Sequence, residues 1–253
     1  MNIKENKILQ VLSKIKPTDK VLDIGGWAKP FNRANYVLDY MPYQTRGLAG
    51  KFGPDKEHFT KETWIVSDIC DRKQFPFKDK EFDFVFCSHT LEDIRDPIWV
   101  CSEINRIGKS GYIKTPSRII ESHKNIGGKW NLNKYVVGYS HHIWYVEDFD
   151  NKLLFTPKNP LIHNIKEFQV NNLCEPKIMS FFWKGDFEYE ENNINSQSYK
   201  SIFADLKRFK LSTVSVEKKD KVEKKLDRLI ENLQQVQLKK RLINKFKRIR
   251  GFF

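Results

Sequence analysis

Three aspartates sit at the ends of three short apolar runs: Asp23 in Val21-Leu22-Asp23-Ile24, Asp39 in Tyr36-Val37-Leu38-Asp39, and Asp68 in Trp64-Ile65-Val66-Ser67-Asp68-Ile69. Gly25 and Gly26 follow the first. Carboxylates at the carboxyl ends of neighbouring parallel strands suit a nucleoside site. An acid at the tip of the second strand can accept hydrogen bonds from both ribose hydroxyls, and Asp68 is positioned to meet an exocyclic amine. Paired glycines at the first strand's end let the backbone turn tightly and approach a bound nucleotide. A lone strand followed by two glycines is also an ordinary loop entry, so the reading depends on matching strands elsewhere.

Those strands are legible. A parallel strand covered on both faces reads as a continuous apolar run, and Phe82-Asp83-Phe84-Val85-Phe86-Cys87-Ser88 is the strongest such run in the chain. Residues 4–15 place Ile8, Leu9, Val11, Leu12 and Ile15 at helical spacing ahead of Pro17. Asp96 as N-cap with Pro97 in the first turn starts a second helix, whose apolar face is Ile98, Val100, Cys101, Ile104 and Ile107. Gly108-Lys109-Ser110-Gly111 ends it, and Tyr112–Pro116 reads as a fifth strand. Residues 40–62, with three glycines and two prolines, read as a long loop. Alternating strands and helices predict an α/β fold, a Rossmann-like doubly wound, mostly parallel sheet. Residues 168–170 and 178–189 are expected to be its last, antiparallel strands, followed by a polar linker.

The 253 residues carry a net charge of +13, but from Lys207 onward sixteen Lys/Arg face five Asp/Glu, while residues 1–206 hold 29 against 27. A nearly neutral body argues against a phosphate-tracking groove beside the chemistry and makes nucleic acid the less favoured partner. Cys70, Cys87, Cys101 and Cys174 lack metal or redox spacing and are expected to be reduced. With no run long enough to span a bilayer and a polar amino terminus, the chain is expected in the cytoplasm, docking at most on the inner membrane face.

Taken together, Val21-Leu22-Asp23-Ile24-Gly25-Gly26, Phe75-Pro76-Phe77, Phe82–Asp93 and Glu103-Ile104-Asn105-Arg106-Ile107 resemble the class I S-adenosylmethionine-dependent methyltransferases, in particular the type 11 group, over roughly residues 20–117. The resemblance implies S-adenosyl-L-methionine as cofactor. It places Asp23, Gly25 and Gly26 against its methionine portion, Asp39 on the ribose, Asp68 and Ile69 on the adenine, and Ser88, His89 and Leu91 on the floor where methyl group meets acceptor. Trp27 stands where the family has a further glycine and another is missing near Lys29, which would let Trp27 pack over the cofactor, and Asp93 stands where many relatives have histidine.

Methyl transfer to a hydroxyl requires removal of a proton, so a base is expected near the carboxyl edge of the sheet. His141 and His142 are the favoured candidates, with Glu121 as orienter or alternative base. Residues 139–147 read as a strand, which would send the two imidazoles to opposite faces and argues against a shared metal ion. Residues 40–62 and 118–140 are expected to form a lid, and Lys29, Arg33, Arg46, Arg118 and Lys129 are candidate partners for an anionic acceptor. The chain is expected to divide into a methyltransferase domain (1–190), a linker and helix (191–215), and a basic amphipathic or coiled-coil tail (216–253). Val222, Leu226, Leu229, Leu233 and Val236 suit helix pairing, in a homodimer or against the body, and residues 238–253 suit an anionic membrane surface. The expected activity is O-methylation of a sugar or lipid-linked glycan in surface polysaccharide synthesis, with RNA methylation or a non-catalytic cofactor-binding scaffold as alternatives.

Overall fold

The structure, a computed structural model, describes residues 3–124, 126, 137–170, 177–192 and 199–250, with 3–7, 199 and 237–250 described as backbone. After helix α1 (Ile3–Leu12) come β1 (Val21–Ile24), β2 (Tyr36–Asp39), β3 (Trp64–Val66), β4 (Phe84–Ser88), α2 (Pro97–Ile107) and β5 (Ser110–Pro116). A one-turn helix α3 (Arg118–Glu121) precedes the hairpin of β6 (Trp144–Phe149) and β7 (Lys152–Pro157). Then follow α4 (Leu161–Asn164), β8 (Ile178–Lys184), β9 (Glu188–Glu191), α5 (Tyr199–Ser212) and α6 (Val216–Arg250).

The central sheet has the order β3-β2-β1-β4-β5-β8, with β8 alone antiparallel. Alternate residues of its strands feed two cores. Leu22, Ile24, Leu38, Val85 and Ile113 belong to one, and Val21, Val37, Phe84, Phe86 and Tyr112 to the other. This period of two on strands buried on both faces explains the continuous apolar runs. Each fully buried Leu or Ile contributes roughly 1.5–3 kcal/mol. The chain leaves β1 toward β2 on one side and returns through β4 on the other, so the order reverses between β1 and β4, where open α/β sheets bind ligands.

The crossovers are leaner than the alternation of strands and helices predicts. Residues 25–35, 40–63 and 67–83 contain no α-helix, only a 3₁₀ turn at Tyr43–Thr45; α2 supplies the helical crossover from β4 to β5. Asp96 caps α2 by accepting from the Trp99 N–H at 3.0 Å, with Pro97 in the first turn. The 40–62 loop is tied to the turn after β1 and to the sheet. Gly47 and Ala49 donate to the Trp27 and Ala28 carbonyls, Asn32 donates to the Phe52 carbonyl, and Phe52 stacks on Phe86 with centroids 5.2 Å apart. The other proposed lid segment falls largely on residues 125 and 127–136, outside the described residues.

A second sheet, β6-β7-β9, packs Val146, Leu153 and Phe155 into the first core. Residues 178–189 therefore divide: β8 joins the central sheet, and β9 pairs in parallel with β7. The expected strand at 168–170 is absent there, because Lys166–Phe168 forms a 3₁₀ turn. Cys70, Cys87 and Cys101 are buried free thiols, and Cys174 lies outside the described residues.

Two compact units emerge in place of consecutive segments. One comprises Met1–Glu121, Tyr139–Lys158 and Cys174–Asn192; the other comprises Ser122–Gly138, Asn159–Leu173 and Asn193–Phe253. In the second unit Ile162, Phe168, Ile202, Phe203, Leu206 and Leu226 form a core, with Val222, Leu229 and Leu233 packed against it. The heptad seam of α6 is thus engaged within its own unit, and Lys207 of α5 pairs with Glu223 and Asp227 across it. The basic stripe read over 238–253 lies outside the described side chains. Among the described residues, no helix is long and apolar enough to cross a membrane.

Candidate active site

The nucleoside end is built by β1, β2 and the turns after them. Asp23 is buried, 1% exposed, with Oδ2 accepting from the Phe31 N–H at 2.8 Å. Burial pushes its carboxyl up to about 7; the Phe31 N–H opposes this and the charge of Asp39 adds to it. A Cβ on Gly26 would lie 2.2 Å from that same oxygen, so glycine is required for the turn to close over Asp23. Gly25 has φ +75°, and a Cβ there would lie 2.1 Å from Thr90 Oγ1. The chain's own packing therefore demands both glycines.

Asp39 is also buried, accepting from the Trp27 N–H at 2.9 Å and the Met41 N–H at 2.8 Å, and burial raises its carboxyl above the ordinary value. Asp68 accepts from the Cys70 N–H at 2.9 Å and pairs with Arg95 at 2.8 Å, the two together holding its carboxyl below the ordinary value. Gly25, Asp39, Asp68, Ile69, Thr90 and Asp93 line one crevice of about 400 Å³, at the low end of the size of small-molecule sites.

The remaining expected cofactor residues divide. Asp23 and Gly26 sit beneath the turn and shape it. Ser88 ends β4, while His89 turns sharply at φ +58° and brings Nδ1 to 3.3 Å from Glu92 Oε1. Leu91 is wholly buried in the core, and the crevice wall is made instead by Thr90 and Asp93. Trp27 points into the 40–62 loop, donating from Nε1 to Thr45 Oγ1 at 2.9 Å.

Next to Asp93 lies a cluster of two histidines and a buried carboxylate. Residues 139–143 are not a strand: β6 begins at Trp144, and the Ile143 and Trp144 N–H groups both donate to the Glu92 carbonyl. That anchorage brings both histidines toward Asp93, so the expected placement on opposite faces does not hold. His142 is buried, its Nδ1 2.6 Å from Glu121 Oε1 and its Nε2 3.4 Å from Asp93 Oδ1. His141 is exposed, with Nε2 3.9 Å from the same oxygen. Glu121 also accepts from Lys158 Nζ at 2.7 Å and from the Tyr139 N–H at 3.3 Å, and Lys158 donates on to the Tyr139 carbonyl. Burial alone would raise Glu121; the hydrogen bond from His142 and the charge of Lys158 bring it below the ordinary value. Burial likewise works to lower His142, but Glu121 and Asp93 carry it above the ordinary value. With both oxygens engaged, Glu121 is an orienter of His142.

Most cations expected to meet an anionic acceptor are occupied structurally. Arg33 is buried and donates to the Lys16, Pro17 and Asp19 carbonyls, Arg46 pairs with Glu57 at 2.7 Å, and Arg118 pairs with Glu147 at 2.9 Å beside the Tyr145 ring. Lys129 lies outside the described residues. Sequence reading passed over Thr90, Arg95 and Asp93. The signal at Asp93 was its substitution for the imidazole usual at that position.

The sheet reverses its strand order beside a crevice lined by Gly25 and three acids, Asp39, Asp68 and Asp93. Residues 26–113 match the family model described as a methyltransferase domain. Among solved structures, the chain is similar to one from the complex between the Haloferax volcanii Trm112 methyltransferase activator and the putative methyltransferase. That likeness has 21% identity and a TM-score of 0.35, covering 47% of this chain and 54% of that one. It is also similar to an S-adenosylmethionine-dependent methyltransferase from Mesorhizobium loti (15% identity, TM-score 0.34, 60% and 64% covered). A third is phosphoethanolamine N-methyltransferase 2 of Haemonchus contortus, solved with S-adenosyl-L-methionine (18% identity, TM-score 0.32, 49% and 30% covered). The chain thus spans between about a third and two thirds of the length of these solved proteins. No curated protein matches its sequence.

Proposed function

We propose that the chain is an S-adenosylmethionine-dependent methyltransferase that methylates a hydroxyl of a small polar acceptor, a sugar or lipid-linked glycan. The observation that carries this reading is the adjacency of two sites. Asp93 lines the crevice with Asp39 and Asp68, and its carboxylate also stands 3.4 Å from His142 and 3.9 Å from His141, with Glu121 on the far nitrogen of His142. Residues on the crevice wall fit the cofactor: a turn left open by glycine at φ +75°, and a buried carboxylate at the second strand's tip. Gly25 and Asp39 would hold its methionyl and ribose parts, and Asp68 with Ile69 its base. When bound, S-adenosylmethionine supplies a methyl carbon already activated on a sulfonium, so alignment of the acceptor is the protein's main task. Asp93, His141 and His142 receive the acceptor hydroxyl, and Glu121 fixes the His142 ring so that Nε2 faces it. The hydroxyl proton passes to the imidazole of His141 or His142, with S-adenosylhomocysteine as the other product.

Calorimetry with S-adenosylhomocysteine tests the cofactor half. Asp39→Ala is expected to weaken binding by about tenfold to a hundredfold, the value of one lost hydrogen bond to a charged group, with the circular dichroism spectrum unchanged. Equal affinity in the variant would refute the ribose assignment. Incubation of the protein with methyl-labelled cofactor and a cell-envelope extract, followed by product mass, tests the acceptor half. Label confined to RNA or protein would overturn the glycan reading.

A further inference from the structure

Three donor atoms converge beside the crevice. Asp93 Oδ1 is 3.4 Å from His142 Nε2 and 3.9 Å from His141 Nε2, and one ligand atom from each residue lies within 4.8 Å of the others. Neighbouring donors of a four-coordinate zinc ion, with bonds of about 2.0–2.1 Å, stand about 3.3 Å apart. The His142 to Asp93 separation already has this value. It is long for a hydrogen bond between the two groups. His141, exposed on the loop before β6, has Nε2 about 0.6 Å beyond that spacing from Asp93, and all three ligand atoms lie within 4.8 Å of one another, so an ion would draw the exposed His141 ring inward.

The surroundings of His142 point the same way. Its Nδ1 is bound to Glu121 at 2.6 Å, and Glu121 is held in turn by Lys158 and the Tyr139 N–H. A carboxylate on one imidazole nitrogen fixes the ring and presents the other nitrogen outward, the arrangement that surrounds histidine ligands in metal centres. A second observation is independent of this. Glu92 is 1% exposed, yet neither of its carboxylate oxygens has a hydrogen-bond partner, and Oε1 lies 3.3 Å from His89 Nδ1. A buried carboxylate without hydrogen bonds is costly unless positive charge stands near it. Glu92, Asp93 and Glu121 bring three carboxyl groups to this corner, where the Lys158 ammonium and the His142 ring are both bonded to Glu121.

We infer that Asp93, His141 and His142 bind one divalent transition-metal cation of the zinc type, with Glu121 as the positioning residue for His142. Two imidazole nitrogens and one carboxylate suit zinc and its first-row neighbours, whereas magnesium and calcium favour all-oxygen sets. Three protein ligands leave a coordination position open toward the crevice wall that Asp93 shares. An acceptor hydroxyl occupying that position would be acidified as metal-bound water is, its proton passing to solvent rather than to the ligating imidazoles while the oxygen keeps its electron pair. This last consequence rests on the transferase reading above; binding of the ion does not.

The test uses the full chain, free of tags and dialysed against chelator, titrated with Zn²⁺ by calorimetry and with Co²⁺ by visible absorption. One ion per chain is expected, with no competition from a large excess of Mg²⁺. His141→Ala and Asp93→Asn alter side chains that are 66% and 37% exposed, so both variants are expected to fold. Each is expected to lose about a hundredfold or more in Zn²⁺ affinity, together with the Co²⁺ band. Glu121→Gln is expected to keep the stoichiometry and lose about tenfold to a hundredfold in affinity, as second-layer partners of metal ligands do. Failure of wild-type protein to bind Zn²⁺, or equal binding by His141→Ala and Asp93→Asn, overturns the inference. Titration with S-adenosylhomocysteine runs in parallel. Nucleoside binding without Zn²⁺ binding overturns the metal site and spares the transferase reading; Zn²⁺ binding without nucleoside binding does the reverse.

Discussion

Asp23 ties local packing to a measurable pH dependence. In the folded protein burial pushes its carboxyl from 3.8 up to about 7, whereas in the unfolded chain it returns to the ordinary value. Between these two values the native state holds a proton that the unfolded state has lost, so stability falls as pH rises through that window and levels off above it. At 1.36 kcal/mol per pH unit, the loss attached to this one group amounts to about 3 kcal/mol between about pH 4.5 and about pH 8. Asp23→Asn keeps an oxygen to accept from the Phe31 N–H but cannot ionise. The stability difference between variant and wild type, from denaturant unfolding without cofactor, should therefore shift in the variant's favour by about 3 kcal/mol across that range. Taking the difference cancels the titration of all other groups except Asp39, whose charge adds to the shift. Parallel pH profiles for the two proteins would refute the reasoning: Asp23 would then ionise in the fold at little cost, and the turn over Gly26 would have to admit water.

Two further outcomes are expected. Gly25→Ala places a Cβ 2.1 Å from Thr90 Oγ1 at φ +75° and should destabilise by about 2–4 kcal/mol in urea unfolding. Adding Thr90→Ala should recover the packing part and leave about 1–2 kcal/mol of backbone strain; full recovery or none contradicts that division. In the second unit, Leu226→Ala removes a side chain that is 1% exposed, and hydrogen exchange should report a loss of about 2–5 kcal/mol of protection in α5 and α6. Unchanged protection would mean that the α6 seam is not packed on α5.

The central strands were legible because both of their faces are buried: Val21–Ile24 and Phe84–Ser88 are short apolar runs, broken only by Asp23 and closed by Ser88, and taken together they match interior parallel strands. The same holds for α2, whose start is written in Asp96 and Pro97. What failed was local and non-periodic. Tyr139–Ile143 has strand-like composition, but the Glu92 carbonyl holds Ile143 and Trp144 in place, and a contact fifty residues distant in sequence leaves no trace in the local pattern. Arg33 and Arg118 read as surface cations because nothing nearby in sequence reveals the carbonyls and the carboxylate that engage them. Asp39 and Asp68 could be placed at one crevice from strand order alone. That Asp23 lies beneath the surface depends on which face of β1 it occupies, the face shared with Val21 and Phe31.

The two ends of the site come from different stretches of chain. Gly25, Asp39 and Asp68 follow the first three strands, while Glu121, His142 and Lys158 belong to the one-turn helix and the two flanks of a hairpin. On the proposed reading, exchanging the hairpin and its flanks for those of a relative would alter what is methylated without disturbing the donor's berth. A lineage could diversify its products by recombining this one segment, provided that the grafted piece still reaches the carbonyl of residue 92.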